Sequence, residues 1–378
     1  MMINPDDRIS TRQLYIMVIS ILIGVNTLII PRLMTSVAGV DGWILPITSG
    51  IVVIINMYLL IRINSAFPNL TFIEYSEIIL GKFIGKILSL GLLLYFLFLT
   101  SINIRLFSSA IKPFLIPQTP IEVLLLSTLI MPTYLIRHGV EPIARFNEYI
   151  TIPALASLAM PLFLIISIPY FDLGKLLPFF SSGIYKIAQG SLIGYGASAF
   201  LGLGMMYLLY PYIKSSERDN IYSSVIMGII TVIVIFVLFI IMTIAAVGAV
   251  ELSYMTWPII SILGSIEVPV VERVGSLFIA IWATISFTTT LVLTFVGNGL
   301  GLAHFLNYRE FKHLILPGMV PPYFLALLPG TIDEVLKVMY YINYIGKFYL
   351  IFLPLILFVV FKIRNLDKYG RKSNKKEQ

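Results

Sequence analysis

Long apolar runs separated by short polar turns set the pattern of this chain. The run at 14–37 is long enough to cross a bilayer, yet Gly24-Val25-Asn26-Thr27 interrupts it near mid-depth, with Pro31-Arg32 following. A break there frees backbone groups where no water competes for them. Such groups are tolerated only when protein buries them or they line a cavity. Two readings are open: a discontinuous helix of the kind that binds substrate in secondary transporters, or a proline kink in a packing helix.

The apolar runs predict ten spans, at about 12–37, 43–63, 84–112, 120–136, 143–168, 190–212, 222–249, 275–303, 314–329 and 342–362. Between the second and third, residues 68–82 set Phe72, Tyr75, Ile78 and Ile79 on one helical face and Glu74 and Glu77 on another, an amphipathic, interfacial pattern. Residues 251–273 form a similar connection between the seventh and eighth, and 332–341 an amphipathic lead-in to the tenth. The organisation expected is a first repeat at 1–169, a linker at 170–189, a second repeat at 190–363 and a basic tail at 364–378. Five spans per half place the halves in inverted orientation. Each half opens with a glycine-interrupted span, Gly24 in the first and Gly194, Gly196, Gly202 and Gly204 in the sixth. Paired interruptions in matching positions point to a transporter's binding site; the sixth-span glycines are equally open to a reading as close helix packing. The fold class expected is therefore an all-α polytopic membrane protein of 5+5 inverted repeats with discontinuous helices one and six.

Composition agrees with that class. Of 378 residues, 58% are hydrophobic and 12% charged, against about half and a quarter in soluble domains. The chain has no cysteine, which removes disulfides and thiolate chemistry. Much of the net charge of +7 lies in the tail Lys362, Arg364, Lys368, Arg371, Lys372, Lys375 and Lys376, which reads as a cytoplasmic anchor and not a nucleic-acid surface. With Arg8 and Arg12 before the first span, both termini are expected in the cytoplasm. Inner loops then carry Arg62, Lys82, Lys86, Arg137, Lys214, Arg218, Arg309 and Lys312, and outer ones Asp41, Asp172, Glu251, Glu267, Glu272, Asp333 and Glu334. No small-residue cleavage site follows the first apolar run, so no removable signal peptide is expected.

If spans one and six are broken, spans three and eight flank them. Span three offers Tyr95, Thr100, Ser101, Asn103 and Arg105; span eight offers Ser286, Thr288, Thr289, Thr290 and Thr294; Phe200 and Tyr207 of span six could wall a pocket. Arg105 either faces the interior as a functional cation or snorkels to the outer headgroups. The threonines either face the pocket or bond back to their own turn. No enzyme signature competes. His138, His304 and His313 lie in or beside loops without metal-ligand spacing, and Gly297-Asn298-Gly299-Leu300-Gly301 follows no strand, as a dinucleotide site would. No cofactor or metal is expected.

Several motifs occur together in order: Gly24-x-x-x-Leu28-x-x-Pro31-Arg32, Asp41-Gly42-Trp43, Tyr95 and Arg105, Phe200-Leu201-Gly202, Trp257-Pro258, Glu272-Arg273, Trp282 with Thr288 and Thr289, and Asn298-Gly299-Leu300. In this order and spacing the chain resembles the endospore germination permeases. These are the B subunits of nutrient germinant receptors, within the amino acid–polyamine–organocation transporter superfamily. The resemblance implies an integral protein of the spore inner membrane, in complex with an A subunit and a lipoprotein C subunit, that senses an amino acid or sugar. Carried over by position, it makes Gly24, Tyr95, Phe200, Gly202, Thr288 and Thr289 ligand-pocket residues; Val25, Asn26, Thr27, Asn103, Arg105 and Gly204 complete the candidate set. Many members have a glutamate where Gly204 stands, and some an acid at Asn103. Its absence leaves ligand identity and proton coupling open. A secondary amino-acid transporter is the alternative function.

Overall fold

The computed structural model describes residues 7–266, 274–308 and 311–366. The first six residues, Glu267, Glu272-Arg273, Arg309 and the tail lysines and arginine from Lys368 onward lie outside the described residues. Those described fold into helices with no strand among them; one isolated bridge joins Ile9 to Ile213.

The predicted first span is two helices, α1 (Thr11–Ile23) and α2 (Asn26–Ala38), separated at Gly24-Val25. Pro31 lies inside α2, so the interruption falls at the glycine and not at the proline. The buried carboxylate of Asp41 follows, accepting from the amides of Phe180 (2.7 Å) and Ser182 (2.8 Å), which ties this turn to the linker. α3 (Ile44–Ala66) and α4 (Phe72–Leu80) match their predicted segments. Phe72, Tyr75 and Ile79 of α4 are buried, Phe72 against Tyr207, while Glu74 is exposed. Then come α5 (Lys82–Leu115), α6 (Ile121–Ile136), α7 (Val140–Ser157) and α8 (Ala159–Ile166).

The second half departs from its predicted boundaries more than the first. α9 (Gly183–Leu192) begins inside the stretch expected to be linker. Residues 193–196 leave the helix, and the chain continues as a 3-10 stretch, Ala197–Met205, into α10 (Met206–Leu209). Of the glycines expected to interrupt this span, Gly202 and Gly204 lie in the tighter helix, and the opening falls at Gly194 and Gly196. There the amides of Gly194 and Gly196 bond back to Gln189 O and Gly190 O. α11 (Ile221–Val247), α12 (Ala249–Tyr254) and α13 (Pro258–Gly264) precede α14 (Val274–Thr294). α14 widens into a π-helical segment, Phe295–Gly301, before α15 (Leu302–Phe305). α16 (Phe311–Leu327) follows, and the predicted lead-in to span ten is continuous with it as α17 (Ile332–Lys347), with α18 (Leu353–Ile363) last.

Among the described residues seven helical runs are long and apolar enough to cross a membrane, one of which joins α2 to α3; Thr11–Ile23 and Ile121–Ile136 are shorter apolar helices. α1 packs against α7, α11 and α14, and α14 and α17 both pack against α5. The break in α1/α2 is thereby set at the centre of the bundle. The start of α1 is held by charge on helix N-termini. Glu217 accepts from the Thr11 amide at 2.7 Å, and that bond holds its carboxyl below the usual range. The Asp7 carboxylate caps the start of α7, accepting from the Val140 and Glu141 amides at 3.0 and 2.8 Å.

Candidate functional site

Breaking two helices inside an apolar bundle strands carbonyls that would otherwise accept from the next turn. In this chain side chains take them up. Thr289 Oγ1 donates to Ser20 O, Asn26 Nδ2 to Leu22 O (2.9 Å) and Thr27 Oγ1 to Ile23 O (2.8 Å). The indole of Trp282 donates to Gly24 O at 2.9 Å. Around span six, Tyr95 OH donates to Leu201 O at 2.9 Å, and the buried Lys347 ammonium donates to Ile193 O while lying over the Tyr344 ring. α14 and α17 thus take up carbonyls at the two breaks, and α5 one in the 3-10 stretch after the second.

Between the first break and the 3-10 stretch that follows the second lies a cavity of about 40 Å³, room for a water or two. Of the candidates, Val25, Asn26, Asn103 and Gly202 line it. Ser198 and Asn343 line it as well, and the buried Ser198 Oγ and Asn343 Nδ2 have no hydrogen-bond partner. With Asn26 and Asn103 on the same wall, these two atoms leave unspent hydrogen-bonding capacity facing the cavity. Asn103 Oδ1 accepts from Thr290 at 2.9 Å, which fixes the amide between spans three and eight.

The other candidates sit around the cavity. Gly24 faces span eight: a Cβ there would lie 2.7 Å from Thr289 Cβ. Gly202 allows an equally close approach, its added Cβ falling 2.8 Å from Ile21 Cγ1. Phe200 is fully buried toward α3, its ring end 3.4 Å from the place of a Cβ on Gly50. Gly204 sits under Phe96 and Tyr95, and Tyr95 stacks on Tyr349. Thr288 bonds back to Ile285 O at 2.7 Å, within its own turn, whereas Thr289 reaches across to α1. Thr27 is spent on its own helix end.

Arg105 is 6% exposed, its Nε has no hydrogen-bond partner, and it forms no ion pair within 4.0 Å among the described residues. Glu122 and Glu334 act on it only through space. It is one position from Leu106 and three from Ile102, both cavity residues, so burial places it in the protein interior and not at the lipid surface. Sequence reasoning missed Asn343 and Ser198. An asparagine in the last long span was the available signal; Ser198 gave none among so many small residues.

The family described as "Spore germination protein" matches residues 8–335. Spore germination protein YndE of Bacillus subtilis (strain 168) is 27% identical, over 96% of this chain and 99% of that protein. Spore germination protein A2 of the same organism is 30% identical, over 94% and 96%. Among solved structures, Mhp1, a nucleobase-cation-symport-1 family transporter in a closed conformation with bromovinylhydantoin bound, shares the fold with a TM-score of 0.63 at 16% identity, covering 91% of this chain and 78% of that one.

Proposed function

The chain belongs to the spore germination protein family, and from that membership we propose that it is the membrane subunit of a germinant receptor, recognising a small nutrient, an amino acid or sugar, in the cavity between its first helix break and the 3-10 stretch after the second, and so triggering germination. The observation that carries this reading is the pair of unpartnered polar atoms, Ser198 Oγ and Asn343 Nδ2, on a cavity that also holds Asn26 and Asn103. A cavity of about 40 Å³ is too small for a nutrient as it stands. Uptake therefore parts the lining segments, and a ligand that binds the parted state better shifts the protein toward it. That movement, passed to an A subunit and a lipoprotein C subunit in the spore inner membrane, is the signal. The fold shared with a transporter supports a second reading, in which the same movement carries an amino acid across the membrane.

The expected result for Asn103→Leu is a loss of at least about tenfold in nutrient affinity, the worth of one well-made polar contact in a dry site. Binding to the purified protein is measured against a panel of amino acids, sugars and nucleosides. An unchanged affinity for every ligand that binds would overturn the cavity assignment.

The architecture in this reading is ten spans as inverted repeats at 1–169 and 190–363, a linker at 170–189 and a cytoplasmic tail at 364–378, with both termini inside. It is supported by the matching places of the two breaks and by loop charges. Ser216 and Ser265 are both exposed, and the chain has no cysteine of its own. A single cysteine at Ser265 is expected to label with an impermeant reagent and one at Ser216 to stay shielded until the membrane is opened; the reverse pattern would invert the topology.

A further inference from the structure

α17 borders two cavities. Met339, Ile342 and Asn343 face the central one. Asp333, Leu336, Lys337 and Tyr340 face a wider, open one of about 540 Å³, bordered across from them by Arg32 of α2 and Tyr195 of the span-six opening. At 1.5 Å per residue the two are offset by about 9 Å along the helix, taking Lys337 and Asn343 as their centres. The wider cavity lies on the face that the loop charges assign to the outside.

Its charges are free to act on a guest. Arg32 Nη1 is buried without a hydrogen-bond partner. Among the described residues Arg32, Lys337 and Asp333 form no ion pair within 4.0 Å. The neighbouring Glu334 is used by its own turn, accepting from the Gly330 amide at 2.7 Å while its amide donates to Thr331 Oγ1. The wall therefore presents two cations against one carboxylate, beside the rings of Tyr195 and Tyr340, which meet edge to face at 6.2 Å. A partly desolvated guanidinium with an unbonded N–H edge matches a carboxylate in both charge and fork geometry. Asp333 offers the complementary charge for an ammonium, and Leu33 and Leu336 supply apolar wall.

We propose that this outer cavity is a second binding site that captures α-amino acids, Arg32 holding the carboxylate and Asp333 the amino group. An occupant links α2, the second half of the first broken span, to α17, which also walls the central cavity. Capture at the outer site thereby bears on the helices that must part below it. The inference goes beyond the central-cavity reading and stands without it.

The test uses the full-length purified protein and the arginine reagent phenylglyoxal, with modification of Arg32 followed by peptide mass spectrometry and the exposed Arg137 as internal reference. The probes are L-leucine, L-leucinamide, which lacks the carboxylate, and 4-methylpentanoate, which lacks the amine. L-Leucine is expected to slow modification of Arg32 and not of Arg137, 4-methylpentanoate to do so more weakly, and L-leucinamide not at all. The same protection is expected in Asn103→Leu, whose central cavity has lost its asparagine. Equal protection by L-leucinamide, or no protection by L-leucine, overturns the site. Protection that disappears in Asn103→Leu also overturns it, because the ligand then acts from the central cavity. Protection that persists there while Asn103→Leu leaves all nutrient binding unchanged would sink the central-cavity reading and keep this one.

Discussion

Gly24→Leu is expected to abolish the nutrient response and to lower the amount of folded protein in the membrane, and Gly24→Ala to weaken both. The glycine lets span one approach Thr289 of span eight closely. An added methyl would lie 2.7 Å from Thr289 Cβ and 3.1 Å from its Cγ2, inside the distance at which carbon atoms repel. Thr289 cannot yield freely, because its hydroxyl donates to Ser20 O, a carbonyl stranded by the end of α1. Overpacking of this kind costs about 1–3 kcal/mol, and leaving a buried carbonyl unpaired costs about as much again. Against a total stability of about 5–15 kcal/mol, alanine leaves a weakened fold and leucine exceeds what side-chain shifts can absorb. The measurements are melting of the purified protein, an immunoblot of membrane level and a nutrient dose–response. Adding Thr289→Gly to Gly24→Ala removes the obstructing Cβ, but also the donor to Ser20 O, so at about 1 kcal/mol of helix propensity plus the unpaired carbonyl it is expected to recover only the overpacking share of the lost stability. If that share returns without the response, Gly24 meets the nutrient as well as Thr289. Normal level and normal response in Gly24→Leu would show that spans one and eight do not pack as described.

The first break was legible because its signal is local. Glycine followed by asparagine and threonine in an apolar run gives both the weak point and the side chains that take up the freed carbonyls, as Asn26 and Thr27 do. The second break was bracketed and not placed, because Gly194, Gly196, Gly202 and Gly204 compete for it and only packing decides between them. Gly202 is consumed by the close approach to Ile21, while Gly194 and Gly196 bond back onto the end of α9. The threonine cluster shows the same limit. Residues 288, 289 and 290 are consecutive, yet one bonds to its own turn, one to α1 and one to Asn103, and a sequence does not say which faces which neighbour. The π-helical segment at Phe295–Gly301 has no propensity signature. It arises where Gly297 lets the helix meet Phe96, whose Cβ would stand 2.5 Å from a methyl on the glycine. For Arg105, depth in the span left snorkelling and burial equally open; the packing of α14 and α17 against α5 decides for burial.

Arg105 separates stability from recognition, and the separation can be measured. A guanidinium that is 6% exposed with an unpaired Nε and no ion pair within 4.0 Å among the described residues is a cost to the folded protein, since burying a charge is repaid only by good partners. Methionine fills similar space without that cost. Arg105→Met is therefore expected to raise the melting temperature of the purified protein. The same change removes a buried cation one residue from the cavity residue Leu106, so affinity for a ligand bearing a carboxylate is expected to fall about 10- to 100-fold, the range of a charge-assisted hydrogen bond. Ligands without an anionic group should be unaffected. Arg105→Lys keeps the charge but replaces the planar fork with a point charge, and is expected to fall between wild type and Arg105→Met in affinity. A purely structural arginine, held by the fields of Glu122 and Glu334, predicts the opposite pair of results: lower stability in Arg105→Met, with affinity unchanged for every ligand. Melting curves and binding isotherms on the same three preparations distinguish the two, because the two roles move the two measurements in different directions.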